Sequence, residues 1–310
     1  MKDNPLVSVI INNYNYGYFL HEAIDSALNQ TYSHSEVIVV DDGSTDDSRE
    51  IIASYGNRII SILKDNGGQA SAFNTGFAAS QGDIICFLDS DDIFMPEKVA
   101  VIVDVFRCRQ SIDWCFHSLS WFDNNTKTFI KQIHEYPSSE WDYRANSKTG
   151  KLPYIPTATS GLCFTRSFLE NILPMPEAIG VTLSDNYLKL ITVALSKGFF
   201  MNKKLAVQKI HNNNAYTLIK NNKQQLKARI LFLTAYWIRV KFPSLYKVAN
   251  NLFVDGLIIF WRVGGIESED KDVFNRYLSS IRLLEKFEIY SRAVYRYLKS
   301  SKHREMSQNA

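Results

Sequence analysis

The sequence predicts an α/β protein: an open, mostly parallel sheet flanked by helices, followed by a C-terminal helical extension. Three observations predict it. Short β-branched runs alternate with helically spaced segments through the first hundred residues. The runs are apolar throughout rather than alternating, as in strands covered on both faces. After Tyr216 the strand-like runs stop and only helical spacing continues.

The strand runs are residues 6–11 (LVSVII), 36–40 (EVIVV), 59–63 (IISIL) and 84–88 (IICFL), each bounded by turn residues. Between them, Phe19, Ala23 and Ala27 with Leu20, Ile24 and Leu28 mark one helical stripe. Ile51, Ile52 and Tyr55 mark a second, and Phe73, Phe77 and Ala78 a third. Strand and helix in alternation build right-handed βαβ units. Farther on, residues 114–122 read as a strand, Asn124 and Asn125 as a hairpin turn, and residues 128–133 as the returning strand. Residues 137–156 read as a long polar and aromatic loop, a kind that often carries function. Its Trp141, Tyr143 and Tyr154 are candidate platforms for a sugar ring. Residues 166–173 and 183–196 have helical spacing, and residues 199–211 return to strand-like content. No linker interrupts this stretch, so residues 1–215 are expected to form one domain, with halves 1–110 and 111–215. Residues 216–310 form the extension. In it Leu226, Ile230, Leu231 and Ala235 make one apolar stripe, and Phe274, Leu278, Ile281, Leu284 and Phe287 another.

Composition narrows the function. The 310 residues are 45% hydrophobic and 22% charged, enough for a real core, which excludes disordered, collagenous and disulfide-scaffold classes. A net charge of 35 − 32 = +3 gives no basis for nucleic acid as the main partner. Cys86, Cys108, Cys115 and Cys163 show neither a CxxC pair nor zinc spacing, so free thiols in a reducing compartment are expected. The N-terminal stretch lacks the run of a secretory signal, and runs such as 252–261 fall short of the ~18–20 residues a membrane span needs. A cytoplasmic protein follows, at most lying on the inner face of a membrane. From Lys271 onward, nine Lys/Arg against four Asp/Glu leave 9 − 4 = +5. There Arg292, Arg296 and Lys299 recur beside Tyr290, Val294 and Tyr297, a basic amphipathic face suited to anionic lipid. The plainer reading is a solvated helix face, and residues 301–310 are expected to fray.

Two acidic clusters sit where chemistry is expected. Asp41 and Asp42 follow the run EVIVV, and Asp89, Asp91 and Asp92 follow IICFL. Ligands of open α/β sheets bind beyond the carboxyl ends of the strands, so both clusters should meet at one edge. Five carboxylates there repel one another unless a cation joins them. Mg²⁺ or Mn²⁺ with a bound diphosphate is the natural candidate. Neither GxGxxG nor GxxxxGK[ST] follows the first strand, where INNYNYGYF stands, which disfavours dehydrogenase and P-loop readings.

The runs VSVIINNYNYGYFLHEAIDSALNQTYSHSEVIVVDDGSTDDS and NGGQASAFNTGFAASQGDIICFLDSDDIFMPEKV resemble the nucleotide-binding region of family 2 glycosyltransferases of the GT-A fold. The likeness is close over about the first 100 residues and looser to about residue 215. It implies an inverting, metal-dependent transferase using a nucleotide-diphospho-sugar, with a UDP-sugar expected. The acceptor implied is a glycan or lipid-linked saccharide of a bacterial surface polysaccharide. In the family pattern, Asp42 resembles the carboxylate that accepts the donor base N–H. Uracil N3–H fits it, as do guanine N1–H and thymine N3–H. Asn12 and Tyr14 resemble positions lining the base pocket. Asp89, Asp91 and Asp92 resemble the metal and ribose-diphosphate motif, and Asn66, Gly67 and Gly68 the loop passing the donor. One departure stands out. Phe73 precedes Asn74 where many members carry an arginine, which leaves Gln69 as a candidate substitute.

On the acceptor side, Asp185 in GVTLSDNYLKL resembles the family's catalytic base, with an ordinary helix N-cap as the alternative. A base there would take the acceptor hydroxyl's proton. His211 in KIHNNNAY resembles a histidine that reaches the metal or diphosphate. Thr159, Ser160 and Gly161, after PYIPTA, resemble a segment lining the acceptor cleft. Two other readings compete. A sugar-phosphate nucleotidyltransferase would be expected to carry a Gly-rich, Arg/Lys-bearing loop after the first strand, which this sequence lacks. A non-catalytic nucleotide-sugar-binding protein has no need of the full set Asp42, Asp89, Asp91, Asp92 and Asp185.

Overall fold

The computed structural model describes residues 2–132, 135–177, 184–211, 214, 224–266 and 268–308. Its contacts divide the chain into two compact units, Met1–Tyr143 with Pro153–Thr217, and Arg144–Leu152 with Leu218–Ala310.

The first unit opens with β1 (Val7–Asn13), α1 (Gly17–Leu28), β2 (Ser35–Asp42), α2 (Ser48–Ser54), β3 (Ile60–Lys64), α3 (Gln69–Ala79) and β4 (Ile84–Asp89). It continues with β5 (Ile93–Phe94), α4 (Lys98–Cys108), β6 (Trp114–Asp123), β7 (Thr128–Ile130) and β8 (Ser139–Asp142). After α5 (Arg144–Ser147), which belongs to the second unit, come β9 (Leu162–Thr165), α6 (Arg166–Ile172), α7 (Ser184–Leu195) and β10 (Lys197–Ile210).

The sheet order is β3-β2-β1-β4-β9-β6-β10-β5, with β7 added on β6 and β8 on β10. From β1 the chain first builds outward through β2 and β3, then crosses to place β4 on the other side of β1. All four strands are parallel. Such a reversal opens a crevice at the carboxyl ends of the strands. Register sets its contents: Asn12 lies beside Asp89, and Asn13 beside Asp41. Beyond β4, β9 runs antiparallel to both β4 and β6, and β10 runs parallel to β6, ending at the same rim. The core is continuous, with Val9, Ile11, Val39, Cys86 and Leu88 among the buried side chains shared with Leu20, Ile24, Ile102 and Phe106. The Val, Leu, Ile and Phe side chains each contribute roughly 1.5–3 kcal/mol of apolar burial. Cys86, Cys115 and Cys163 are free, buried and adjacent across β4, β9 and β6.

Several expectations need correction. The third strand is not covered on both faces: it is the sheet edge, and Ile60 and Leu63 remain 40% and 50% exposed. Residues 137–156 are not one loop, because they contain β8 and α5. Trp141 is buried and stacked on Phe200 at 5.3 Å, so it fills the sheet's own surface and is no free platform. Tyr154, by contrast, is exposed. Not anticipated at all is α4. Its KVAVIVDVF is β-branched, but Val99, Ile102, Val103 and Phe106 recur at helical spacing and are buried. Ile133 and Leu183, at the ends of two expected elements, lie outside the described residues, as does the expected boundary at Tyr216.

The second unit holds α5, α8 (Gln224–Lys241), α9 (Tyr246–Val263), α10 (Lys271–Ser279) and α11 (Leu283–Gln308). Its centre is an aromatic stack: Phe232 on Phe253 at 4.4 Å, and Phe253 on Tyr277 at 4.1 Å. Asn251 Nδ2 donates to Gly150 O at 2.7 Å, tying the short 144–152 segment to α9. The stripe expected from Phe274 to Phe287 is broken. The helix stops at Ser279 and restarts at Leu283, leaving Leu284 and Phe287 85% and 76% exposed. Nor is the basic face uniformly outward: Arg292 and Arg296 donate to Asn251 and Asp255 of α9. No helix among the described residues is long and apolar enough to cross a membrane.

Candidate active site

The carboxyl rim of β1, β2 and β4 carries the acidic constellation. One oxygen from each of Asp89, Asp91 and Asp92 lies within 4.8 Å of the others. Asp89 ends β4, keeps part of its surface open, and is pushed up to about 7 by burial first, then by Asp91 and Asp185. The side chains of Asn12 and Thr159 hydrogen bond it, and Gln69 Nε2 donates to its Oδ1 at 3.2 Å. Asp92 is buried, with Oδ1 accepting the Lys209 backbone N–H at 3.1 Å and Oδ2 accepting Ser160 Oγ–H at 2.5 Å. Burial, then Asp91 and Asp89, raise it well above the ordinary carboxylate range. The same three aspartates, after burial itself, hold the Tyr16 phenol well above its usual value. A crowd of oxygen donors that resist joint ionisation fits a hard divalent cation.

His211, at the exit of β10, places Nε2 3.1 Å from Asp91 Oδ2, and Asn214 Nδ2 donates to that oxygen at 3.0 Å. Phe19 stacks on the imidazole at 4.4 Å and Tyr16 meets its edge, so the ring is held from the α1 side.

At the end of β2 the two neighbouring carboxylates part company. Asp41 is structural, accepting Asn13 Nδ2, the Ser44 N–H and Arg49 Nε. Burial pushes it up, but hydrogen bonds from Ser44, Arg49 and Asn13 outweigh this and leave it below the ordinary range. Asp42 faces the loop after β3. It accepts Lys64 Nζ at 2.6 Å and the Gly67 and Gly68 N–H groups at 3.0 and 2.7 Å. Gly68 holds φ +85°, a left-handed value that glycine adopts without strain, and this turns its N–H onto the carboxylate. Asn66 Nδ2 bonds the Asp42 carbonyl oxygen. Tyr14, after β1, is half exposed.

Asp185, in the first turn of α7, is buried. Lys189, one turn on, pairs with its Oδ2 at 2.8 Å and also donates to Thr157 O. Oδ1 is buried and has no hydrogen-bond partner among the described residues. A buried carboxylate oxygen without a partner is open to a hydrogen-bond donor.

Thr159, Ser160 and Gly161 form a buried 3-10 turn. Ser160 faces the aspartates rather than an open cleft. Phe73 is also internal, packed on Phe87 at 4.6 Å, while Asn74 clips the backbone of Met175. Sequence reasoning missed Lys189, Asn214 and Lys209. The i,i+4 spacing from Asp185 was a legible signal for Lys189; nothing local marks the other two.

Residues 8–169 match the family described as Glycosyl transferase family 2. An uncharacterized glycosyltransferase of Nostoc sp. (strain PCC 7120) is 33% identical over 259 residues, 79% of this chain and 80% of that one. The chondroitin synthase of Escherichia coli is 42% identical over 110 residues, 34% of this chain and 16% of its own. Among solved structures, S. aureus TarS 1–349 in complex with UDP-GlcNAc aligns with a TM-score of 0.63 at 15% identity, covering 94% of this chain and 89% of that one. The molecule is therefore a glycosyltransferase with the GT-A fold. The chain belongs to glycosyltransferase family 2.

Proposed function

We propose that the protein moves a sugar from a UDP-sugar to a hydroxyl of a glycan or lipid-linked saccharide, with inversion, using Mg²⁺ or Mn²⁺. The observation that carries this is that His211 reaches Asp91 of the Asp89–Asp91–Asp92 cluster, while Asp185, whose Oδ1 has no partner among the described residues, lies near enough for its charge to raise Asp89. Asp89, Asp91 and His211 would hold the cation, with Asp92 behind them. A bound cation supplies positive charge to the departing diphosphate.

The rest falls to the chain's own residues. Asp42 accepts the N3–H of uracil beside Asn12 and Tyr14, and Asn66 and Gly68 border the donor. Asp185 Oδ1 takes the proton of the acceptor hydroxyl as its oxygen bonds the anomeric carbon. The bond from that carbon to the diphosphate breaks on the opposite face, so configuration inverts. In this reading residues 1–110 hold the donor and residues 111–215, including the Thr159–Gly161 turn, shape the acceptor side. Residues 216–310 are an extension whose exposed Leu284, Phe287, Val294 and Leu298, beside Lys299, suit contact with the inner face of a membrane. That TarS was solved with UDP-GlcNAc supports the choice of donor class.

The test is release of UDP from a panel of UDP-sugars offered with saccharide acceptors. Manganese-dependent release, abolished by chelation and by Asp185→Ala, is expected. Activity indifferent to chelation, or pyrophosphate formed from UTP and a sugar phosphate, would overturn the reading.

A further inference from the structure

Lys98 opens α4 and is completely buried. An ammonium group removed from water is costly unless well paired. Yet among the described residues no carboxylate lies within ion-pair reach of Lys98. Its Nζ donates to Ser160 O at 2.6 Å and rests 3.3 Å from the centre of the Phe94 ring. Burial lowers its basicity, while Cys163, Cys86 and Asp92 pull the other way.

The carbonyl it grips belongs to the residue that joins the acidic motif together. Ser160 Oγ accepts the Asp89 N–H at 3.1 Å and donates to Asp92 Oδ2. The neighbouring Thr159 hydrogen bonds Asp89. The turn has no slack on its far side. A Cβ on Gly161 would come within 2.0 Å of Thr157 Oγ1 and 2.6 Å of His117 O. A displaced Ser160 would therefore shift both aspartates at once.

We propose that Lys98 is a positioning residue: it fixes the Thr159–Gly161 turn so that Ser160 aims Asp89 and Asp92 at one point, at the expense of stability. This rests on the reading of the rim as the site of the cation and diphosphate. Lys98→Met keeps the stem and removes the donor. In the full chain it should melt at or above the wild-type temperature. At the same time the Mn²⁺ needed for half-maximal UDP binding should rise roughly 10–100-fold, the range typical for loss of an outer-shell support. A lysine serving packing alone would move the melting temperature and leave the Mn²⁺ requirement alone. Ser160→Ala retains the carbonyl for Lys98 and removes the hydroxyl, so it should raise the Mn²⁺ requirement as well. If Lys98→Met is poorly folded, Ser160→Ala decides. Wild-type Mn²⁺ dependence in Ser160→Ala, or in a well-folded Lys98→Met, overturns the proposal. Asp91→Ala is the control: if it too binds Mn²⁺ and UDP as wild type does, the reading of the rim has failed rather than the role of Lys98.

Discussion

His211 Nε2 lies 3.1 Å from Asp91 Oδ2 across 120 residues of chain, joining the end of β10 to the loop after β4. Both groups are ligand types for a divalent ion, and the parallel run of β4 and β10 brings them to one rim. Removing the imidazole leaves a carboxylate-only set. His211→Ala should weaken manganese-dependent UDP binding about tenfold, or ~1.4 kcal/mol. Titration calorimetry with and without Mn²⁺ measures it, and an unchanged response to the metal would remove His211 from the set.

The metal-free protein should lose stability as pH rises. An unfolded aspartate titrates near 3.8, whereas Asp89 is pushed up to about 7 by burial, Asp91 and Asp185. Between those values the folded state holds a proton that the unfolded chain has released, so unfolding becomes easier with increasing pH. Asp92, also raised, adds the same sign, while Asp41 and Asp83 are lowered and act below that window. Buried His117, held well below its usual value of 6.5, acts with the opposite sign below that pH. The melting temperature of chelator-treated protein should therefore fall from about pH 6.5 to pH 8. Asp89→Asn should flatten the slope, and Mn²⁺ should restore stability at pH 8. A flat wild-type profile would contradict this.

Asp185→Asn keeps the size of the side chain but removes the proposed base. Turnover should fall by about 10²–10⁴, with KM for the donor nearly unchanged. Steady-state kinetics separates the two, and wild-type turnover would place the base elsewhere.

A control belongs at the far end of the sheet. A Cβ on Gly198, near the start of β10, would come within 2.0 Å of Trp114 Cδ2, and Trp114 is fully buried. Gly198→Ala should destabilise by ~1–3 kcal/mol through overpacking. Thermal melting should show the loss while UDP affinity stays at the wild-type value. Weaker UDP binding without a lower melting temperature would contradict the assignment of Gly198 to packing alone.

The parallel half was legible because strands covered on both faces leave unbroken apolar runs. The residues just after such a run, Asp89 or Asp41 and Asp42, then mark the rim. Legibility failed where tertiary contact overrides local signal. The β-branched content of α4 argues for a strand, against the helical spacing of Val99, Ile102, Val103 and Phe106 that the structure buries. Lys98 follows Pro96 and Glu97 and reads as solvated; its partner is 62 residues away. Ser160 has the right type for a cleft, but residue type does not say which side of a turn faces inward. Trp141 reads as a sugar platform for the same reason, though Phe200 already occupies its face.

The contacts that brace the acidic motif are remote in order of synthesis. Asp92 waits 117 residues for Lys209, and Asp91 waits 123 for Asn214. At roughly 5–20 residues per second on the ribosome, that is on the order of ten seconds. A nascent chain halted before β10 holds Asp89 and Asp92 through Asn12, Thr159 and Ser160 but lacks the Lys209, His211 and Asn214 contacts. The backbone and side-chain contacts that hold Asp91 and Asp92 from β10 are thus among the last to form as this unit is made.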